Sequence, residues 1–153
     1  MHIESTIVIR RKADEVRRFL TDPSNLPKWD RSVAAVEWRN DSNPRGVGFE
    51  FTTVGHPGSG PDDGRMSYCV VAADPEGRDT RAKLTSRTGN ARFIRKAEWR
   101  QIIEEAPEGS HVTMSTEFRL RLRYLWLGLV LGLIGKGALQ RDLLNLKSVL
   151  ENS

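Results

Sequence analysis

Residues 111–121 read HVTMSTEFRLR, and two kinds of side chain alternate along the whole stretch. One side of the alternation is apolar apart from a single threonine: Val112, Met114, Thr116, Phe118 and Leu120. The other side, which runs from Thr113 to Arg121, is polar or charged. Because successive side chains of a β-strand point to opposite faces, this period of two predicts a strand with one buried and one solvated face.

The same period of two recurs in the segments that precede this strand. Turn signals rich in Gly, Pro, Asn and Asp separate the segments, as hairpin connections require. The segments are 3–10, 32–39, 46–54, 65–73, 79–87 and 91–104. Together with 111–121 they predict an antiparallel sheet of about seven strands, one face of which is buried.

Helical periodicity lies on both sides of the strands. Four leucines between 139 and 150 recur at spacings of four, three and four, which predicts a long C-terminal helix. If this helix began at residue 125, it would be about 40 Å long, although four glycines between 128 and 137 leave its start open. Near the N-terminus, residues 13–20 predict a short amphipathic helix and residues 23–27 a second short turn or helix.

Length and composition are those of one ordinary globular domain. The chain has 153 residues, a formal net charge of +4 and a single cysteine, Cys69. One cysteine excludes an internal disulfide framework and a cysteine-cluster zinc site. The longest apolar run, residues 124–135, is shorter than the roughly 20 residues of a spanning helix, and the N-terminus lacks the apolar region of a signal peptide. We therefore expect one cytoplasmic domain over residues 1–153.

Two stretches resemble a known superfamily. Residues 13–33 (ADEVRRFLTDPSNLPKWDRSV) contain a helix followed by a D-P-x-x-L-P-x-W turn, and residues 139–152 (LQRDLLNLKSVLEN) are similar to the superfamily's ending. On these motifs the chain resembles the START-like superfamily, also called SRPBCC or helix-grip, and within it the polyketide cyclases and dehydrases. The resemblance implies an α+β fold, in which a curved antiparallel sheet wraps around the long C-terminal helix and two short helices follow the first strand. It also implies an internal cavity for apolar small molecules.

The predicted buried face carries more large side chains than one helix can cover, which favours a core that includes a cavity. Arg95 is the most specific polar candidate on this face, since a guanidinium in an apolar wall needs an anionic partner. The alternative is that the Arg95 side chain reaches water at the rim of the cavity. The loop 55–64, with four Gly and two Pro, is either a lid at the cavity mouth or a plain hairpin tip. The candidate ligand-binding residues are Phe49, Phe51, Tyr68, Phe93, Arg95, Trp99, Gln101, Thr116 and Phe118.

Signatures of catalysis and of nucleic-acid binding are weak. The three histidines lack metal-ligand spacing, and no P-loop, nucleophile elbow or dinucleotide fingerprint is present. We therefore predict no metal and no cofactor, and we assign no catalytic residue. Residues 77–100 carry a net charge of +6, but that face has no interleaved aromatic side chains for base stacking. A solvated face is favoured, and no specific nucleic-acid partner is expected.

Three functions remain open from the sequence. The first is binding of a small hydrophobic molecule, such as a lipid, polyketide or isoprenoid, in the internal cavity. The second is an enzyme of the polyketide cyclase or dehydrase type, in which Tyr68, Arg95 or Gln101 orients the substrate. The third is a protein-interaction or membrane-peripheral accessory that uses the apolar segment 124–135, with transient membrane contact.

Overall fold

A computed structural model of the chain describes residues 1–38, 46–58, 64–87 and 93–153. The strands are β1 (His2–Ile9), β2 (Ala35–Trp38), β3 (Glu50–Val54), β4 (Met66–Ala73), β5 (Asp79–Arg87), β6 (Ile94–Ala106) and β7 (Gly109–Leu120). The helices are α1 (Ala13–Thr21), α2 (Leu26–Trp29) and α3 (Gly128–Glu151), with 3₁₀ turns at Pro23–Asn25 and Leu122–Leu127. This order matches the helix-grip architecture that the sequence predicts.

Within the described residues, the seven strands form one antiparallel sheet in the order β1-β7-β6-β5-β4-β3-β2. Strands β2 to β6 each pair with the next strand along the chain, and β1 crosses to the free edge of β7. The register places Ile7 opposite Val112, and Trp99 opposite Thr116. Because side chains alternate along every strand, the apolar residues collect on one face, and α3 lies against that face.

The C-terminal half of α3 carries the helical side of the core. Leu143, Leu146 and Leu150 are buried there, at the spacing that the sequence predicts for one helix face. They pack in a cluster that includes Val112 and Met114 of β7. The alternating strand and the leucine-rich helix, which are the two strongest patterns in the sequence, therefore form the two sides of one core.

Polar contacts fix the end of α3 to the first strand and its turn. The Lys147 ammonium donates to the Val8 carbonyl at 2.8 Å and to the Glu151 carboxylate at 2.6 Å. The same carboxylate accepts a hydrogen bond from the backbone N–H of Arg10 at 2.8 Å. Arg11 donates from Nε to the Leu150 carbonyl at 2.9 Å, which caps the helix end. These contacts give Lys147 and Glu151, both in the motif 139–152, a structural role.

Several predicted boundaries are wrong by a few residues. The strand predicted at 46–54 begins only at Glu50, and Val47, inside the predicted segment, is 65% exposed. Gly48 between them has φ +91°, a left-handed conformation that interrupts extended backbone. The start of the C-terminal helix, which the sequence leaves open, is at Gly128, and a 3₁₀ turn precedes it.

Candidate ligand-binding cavity

A cavity of about 620 Å³ lies between the sheet and α3. On the sheet side, Phe51, Tyr68 and Phe118 contribute to its wall, and on the helix side Leu131 and Leu139 do so. This volume is within the range of known small-molecule sites, which are about 300–1,000 Å³. The sheet therefore curves away from the helix enough to leave room for a ligand.

Stacked aromatic rings form much of the wall. The ring centroid of Phe51 lies 5.8 Å from that of Phe49 and 5.3 Å from that of Tyr68, and both pairs are nearly parallel. Trp29 and Trp99 stack in the same manner with centroids 6.4 Å apart. Such pairs hold one another in fixed orientations, so this part of the wall is preformed and presents flat ring faces.

A second, smaller pocket of about 90 Å³ adjoins the large cavity. Four side chains contribute to the lining of both: Leu26, Trp29, Phe51 and Trp99. These shared residues form the partition between the two spaces. A movement of the Trp29–Trp99 pair would therefore change the shape of both pockets at once.

The structure brings most of the predicted candidate residues together. The large cavity is lined by six of them: Phe51, Tyr68, Phe93, Trp99, Thr116 and Phe118. Phe49 and Gln101 line the smaller pocket instead. Eight of the nine candidates therefore lie on one of two adjoining surfaces.

Arg95 is the exception, and of the two positions that the sequence leaves open for it, the wall and the rim, it does not take the one in the wall. A β-bulge lies between Ile94 and Lys96, so that Ile94 pairs with Leu120 and Lys96 with Arg119. The bulge inserts Arg95 as an extra residue and reverses the alternation that was counted from Trp99. Ile94 consequently lines the cavity, whereas Arg95 is exposed and lines neither pocket.

Three carboxylates line the large cavity, Asp30, Glu98 and Asp142, and sequence reasoning missed all three as site residues; Asp30 and Asp142 lie at the ends of α2 and of the cavity-lining part of α3. Asp30 follows α2 and accepts hydrogen bonds from the Ser32 backbone N–H at 2.9 Å and the Ser32 hydroxyl at 2.6 Å. Asp142 lies on α3 and accepts a hydrogen bond from the Arg31 backbone N–H at 3.4 Å. A sequence signal for Asp142 did exist, because the residue falls on the apolar stripe of the helix, between Leu139 and Leu146.

The electrostatic environment of these carboxylates is unusual. Burial, reinforced by the negative charge of Asp30, raises the pKa of Asp142 from 3.8 to about 6. Burial also raises the pKa of the Tyr68 hydroxyl, and the charge of Asp30 adds to the effect. Asp142 can therefore exchange a proton near neutral pH, while Tyr68 stays protonated and can donate a hydrogen bond. Groups of this kind can hold or polarise a polar atom of a ligand.

The loop 55–64 is described only in part, since its residues 59–63 lie outside the described ranges. Gly55 and Gly64, which flank those residues, both line the cavity. His56 donates from Nε2 to the Arg31 carbonyl at 2.9 Å, which ties the base of the loop to the turn that carries Asp30. The base of the loop is therefore at the cavity, while its proposed action as a lid remains a prediction.

The described parts of the chain hold no cluster of metal-binding side chains. Within residues 1–38, 46–58, 64–87 and 93–153, no three His, Cys, Asp or Glu side chains gather as a metal centre requires.

Comparison with known proteins gives a family and several structural neighbours. The profile of a family described as polyketide cyclase / dehydrase and lipid transport matches residues 1–151. Curated proteins include no significant match to the sequence.

Three solved structures illustrate the fold-level similarity. A protein from Thermus thermophilus has a TM-score of 0.78 at 14% identity, with 99% of this chain and 98% of that chain aligned. Norcoclaurine synthase from Thalictrum flavum, in complex with dopamine and hydroxybenzaldehyde, has a TM-score of 0.71 at 16% identity over 99% and 87% of the two chains. The di-domain ARO/CYC protein BexL, from the BE-7585A biosynthetic pathway, has a TM-score of 0.71 at 15% identity, with 99% of this chain covering 46% of that chain. At these identities the neighbours show a common fold.

Proposed function

Because the chain belongs to the polyketide cyclase/dehydrase and lipid transport family of the helix-grip superfamily, we propose that it binds a small hydrophobic molecule between its sheet and α3. The observation that carries this proposal is the cavity of about 620 Å³ with stacked aromatic rings in its wall. A ligand that buries about 300 Å² of apolar surface would gain about 7 kcal/mol before the costs of association. Binding of this kind needs no catalytic residue.

The polar end of the cavity indicates what such a ligand carries. Asp30, Asp142 and the Tyr68 hydroxyl favour a ligand with an apolar body and a hydroxyl, carbonyl or protonated amine at one end. A protonated Asp142 or Tyr68 would donate to an oxygen, and ionised Asp30 would accept from a hydroxyl or ammonium group. The structural neighbour norcoclaurine synthase, which is known in complex with two small phenolic compounds, is consistent with an aromatic ligand body.

The test is titration of the purified protein with a fluorescent apolar probe such as an anilinonaphthalene sulfonate, followed by displacement with fatty acids, isoprenoids and polyketides. Ala138 lines the cavity from α3, so Ala138→Trp should fill part of it and weaken probe binding at least about tenfold. Trp99→Ala should also change the affinity for the probe, because the substitution removes an aromatic ring from the cavity wall. Trp126→Ala is the matched control, since Trp126 is 74% exposed and does not line the cavity.

Two results would contradict the binding proposal. The first is that the wild-type protein binds no probe and that its native mass spectra show no retained small molecule. The other is an Ala138→Trp variant that folds normally and binds the probe as tightly as wild type, because occupancy of the cavity could not then explain the signal.

A second candidate is an enzyme of the polyketide cyclase or dehydrase type, which the environment of Asp142 favours. A carboxyl with a pKa of about 6 in an apolar cavity can act as a general acid or base near neutral pH. The assay is cyclisation of a poly-β-keto thioester analogue, followed by its ultraviolet absorbance. Asp142→Asn should lower the rate at least about a hundredfold and leave probe affinity unchanged. If wild type gives no rate above that of buffer, or if the variant cyclises the analogue at the wild-type rate, this assignment is wrong.

A further inference from the structure

A continuous apolar surface covers the 3₁₀ turn and the first turns of α3. We call it the apolar patch, and each of its side chains is between 49% and 85% exposed. Its members are Leu122, Leu125, Trp126, Leu129, Val130, Leu133 and Ile134. Scattered apolar residues are normal on a protein surface, but seven large ones on adjoining turns indicate a binding surface.

The orientation of α3 makes this exposure a property of the fold. Gly128 and Gly132 face Met1, which precedes β1, with the Met1 side chain 3.1 and 3.2 Å from where their Cβ atoms would lie. At Gly135 a Cβ atom would lie only 2.6 Å from Cδ1 of Ile3. The helix thus turns its small residues towards the sheet and its large residues towards solvent. An ordinary surface helix does the reverse, so burial against the protein's own core does not account for these leucines.

Basic side chains surround the patch. Between residues 118 and 141 the chain has five Lys or Arg and no Asp or Glu. Neighbouring β6 adds Arg95 and Lys96, which the pairing of Ile94 with Leu120 brings beside the start of the patch. The basic rim consists of five exposed residues that form no ion pair within the described parts of the chain: Arg95, Lys96, Arg119, Arg121 and Arg123.

We propose that the apolar patch and its basic rim dock on the surface of an anionic lipid bilayer. Interfacial segments combine these features, with Trp and Leu side chains among the acyl chains and Lys or Arg side chains at the phosphate level. The charge complementarity selects a membrane over a second copy of this chain, because two such rims would repel one another.

The segment lies in the interface and does not cross the bilayer. By length and composition, residues Leu122–Glu151 are long and apolar enough for a spanning helix. However, the C-terminal half of α3 packs in the core through Leu143 and Leu146, which are about 1% and 0% exposed. Only residues 122–134 remain free of the core, and they extend roughly 20 Å, short of a hydrocarbon layer about 30 Å thick.

Docking in this way would place the cavity next to the bilayer. Ile134 belongs to the patch and also lines the cavity, and its neighbour Leu131 lines the cavity as well. An apolar molecule could therefore pass between membrane and cavity with little exposure to water. The docking itself does not depend on what the cavity holds, so it can be tested without a ligand.

The experiment is vesicle flotation with purified protein at low and at physiological salt. One set of vesicles is phosphatidylcholine alone, and in the other about a third of the lipid is phosphatidylglycerol. Wild type should float with the anionic vesicles and bind them at least about tenfold more tightly than the neutral ones, and binding should weaken as salt increases.

Two sets of variants separate the apolar from the basic contribution. Leu129→Gln with Leu133→Gln should reduce binding at least about tenfold, because it removes two side chains that are 78% and 73% exposed. Leu144→Gln is the matched control, since Leu144 is a 53% exposed leucine of the same helix outside the patch, and it should bind as wild type does. Replacing Arg119, Arg121 and Arg123 by Gln should abolish the preference for anionic lipid.

Several outcomes would overturn the proposal. The first is that wild type floats with neither kind of vesicle. The second is that the Leu129→Gln/Leu133→Gln variant binds vesicles as wild type does. The third is that the triple Arg→Gln variant keeps the preference for anionic lipid. The patch would belong to a protein interface instead if three results came together: wild type is dimeric in light scattering, the double leucine variant is monomeric, and neither protein binds vesicles. Matching unfolding midpoints in urea establish that each variant is folded.

Discussion

The sharpest quantitative prediction concerns Asp142→Asn, which replaces the cavity carboxyl by a neutral group of nearly the same shape. Asn keeps an oxygen that can accept the 3.4 Å hydrogen bond from the Arg31 backbone N–H. What it removes is the negative charge that burial and Asp30 make unfavourable. The variant therefore isolates the cost of holding an ionised carboxyl in this cavity.

The sign and size of the effect follow from the two pKa values. In the folded state Asp142 has a pKa of about 6, against 3.8 ordinarily, so folding favours its protonated form. Well below pH 3.8 the group is protonated in both states and costs nothing; as pH rises through 3.8 towards 6 the folded state loses stability relative to the unfolded one. A difference of about two pH units corresponds to roughly 3 kcal/mol, and because the side chain is partly exposed we expect about 1–2 kcal/mol.

The assay is urea unfolding of wild type and variant between pH 4 and pH 8. Asp142→Asn should differ little from wild type at pH 4 and be about 1–2 kcal/mol more stable at pH 8. Asp79→Asn is the control of opposite sign, since its hydrogen bonds with Arg100 lower the pKa of Asp79. That variant should be less stable than wild type at pH 8 and still so at pH 4, because the deficit is lost only as pH falls from 3.8 through the lower pKa of the folded-state carboxyl. A difference between Asp142→Asn and wild type that is the same at every pH would refute the reasoning.

Three further predictions test the fold and two functional assignments. Leu143 is 1% exposed, so Leu143→Ala should lower the free energy of unfolding by about 2–5 kcal/mol in urea titrations; an unchanged midpoint would place the residue outside the core. Arg95→Ala should bind an acidic ligand and its neutral ester with the same affinities as wild type in probe displacement, and a selective loss of the acid would return Arg95 to the site. Any binding to DNA or RNA should be weak, independent of sequence and lost at physiological salt in fluorescence anisotropy, whereas sub-micromolar sequence preference would contradict the expectation of no specific nucleic-acid partner.

The fold could be predicted because its main determinants are local. Residues 111–121 show the alternation of a half-buried strand, and the leucines from 139 to 150 show a helix face; both patterns depend only on neighbours along the chain. The sheet order follows, because β2 to β7 come one after another along the chain and successive strands usually pair with their neighbours. The boundaries were predicted less well, since the start of β3 at Glu50 depends on the backbone conformation at Gly48 rather than on hydrophobicity.

The site could be predicted only as far as the alternation holds. Counting in twos from Trp99 places Arg95 in the wall, and a bulge between Ile94 and Lys96 moves it out. The alternation itself does not reveal a bulge of one residue. By hydrophobicity, Ile94 belongs on the cavity side and Arg95 on the solvent side, as the structure has them. Counting every second residue assigns the two the other way round. The same count succeeded for Phe118 and Thr116, which lie on a strand with no such interruption.

The two carboxylates show a different limit. Asp30 follows a short helix near the start of the chain, and Asp142 lies on the last helix, so only the tertiary fold brings them to one cavity. Each has an ordinary local explanation, as a turn residue that accepts from Ser32 and as a polar residue on a helix. Their chemical interest arises from the apolar surroundings that they share, which no local pattern encodes.

The apolar patch, the cavity and the titrating carboxyl all lie along α3, and the order in which they occur explains how one helix can support them. Its first turns are held to β1 through glycines, which leaves Leu129 and Leu133 outside. Its middle turns border the cavity through Leu131 and Leu139, and Asp142 stands at the end of that stretch. Only beyond Asp142 do the leucines enter the core, so the half of the helix that stabilises the fold is separate from the half that borders the cavity and carries the apolar patch. Selection could therefore change the first half for a partner without the loss of core packing that changes at Leu143 or Leu146 would bring.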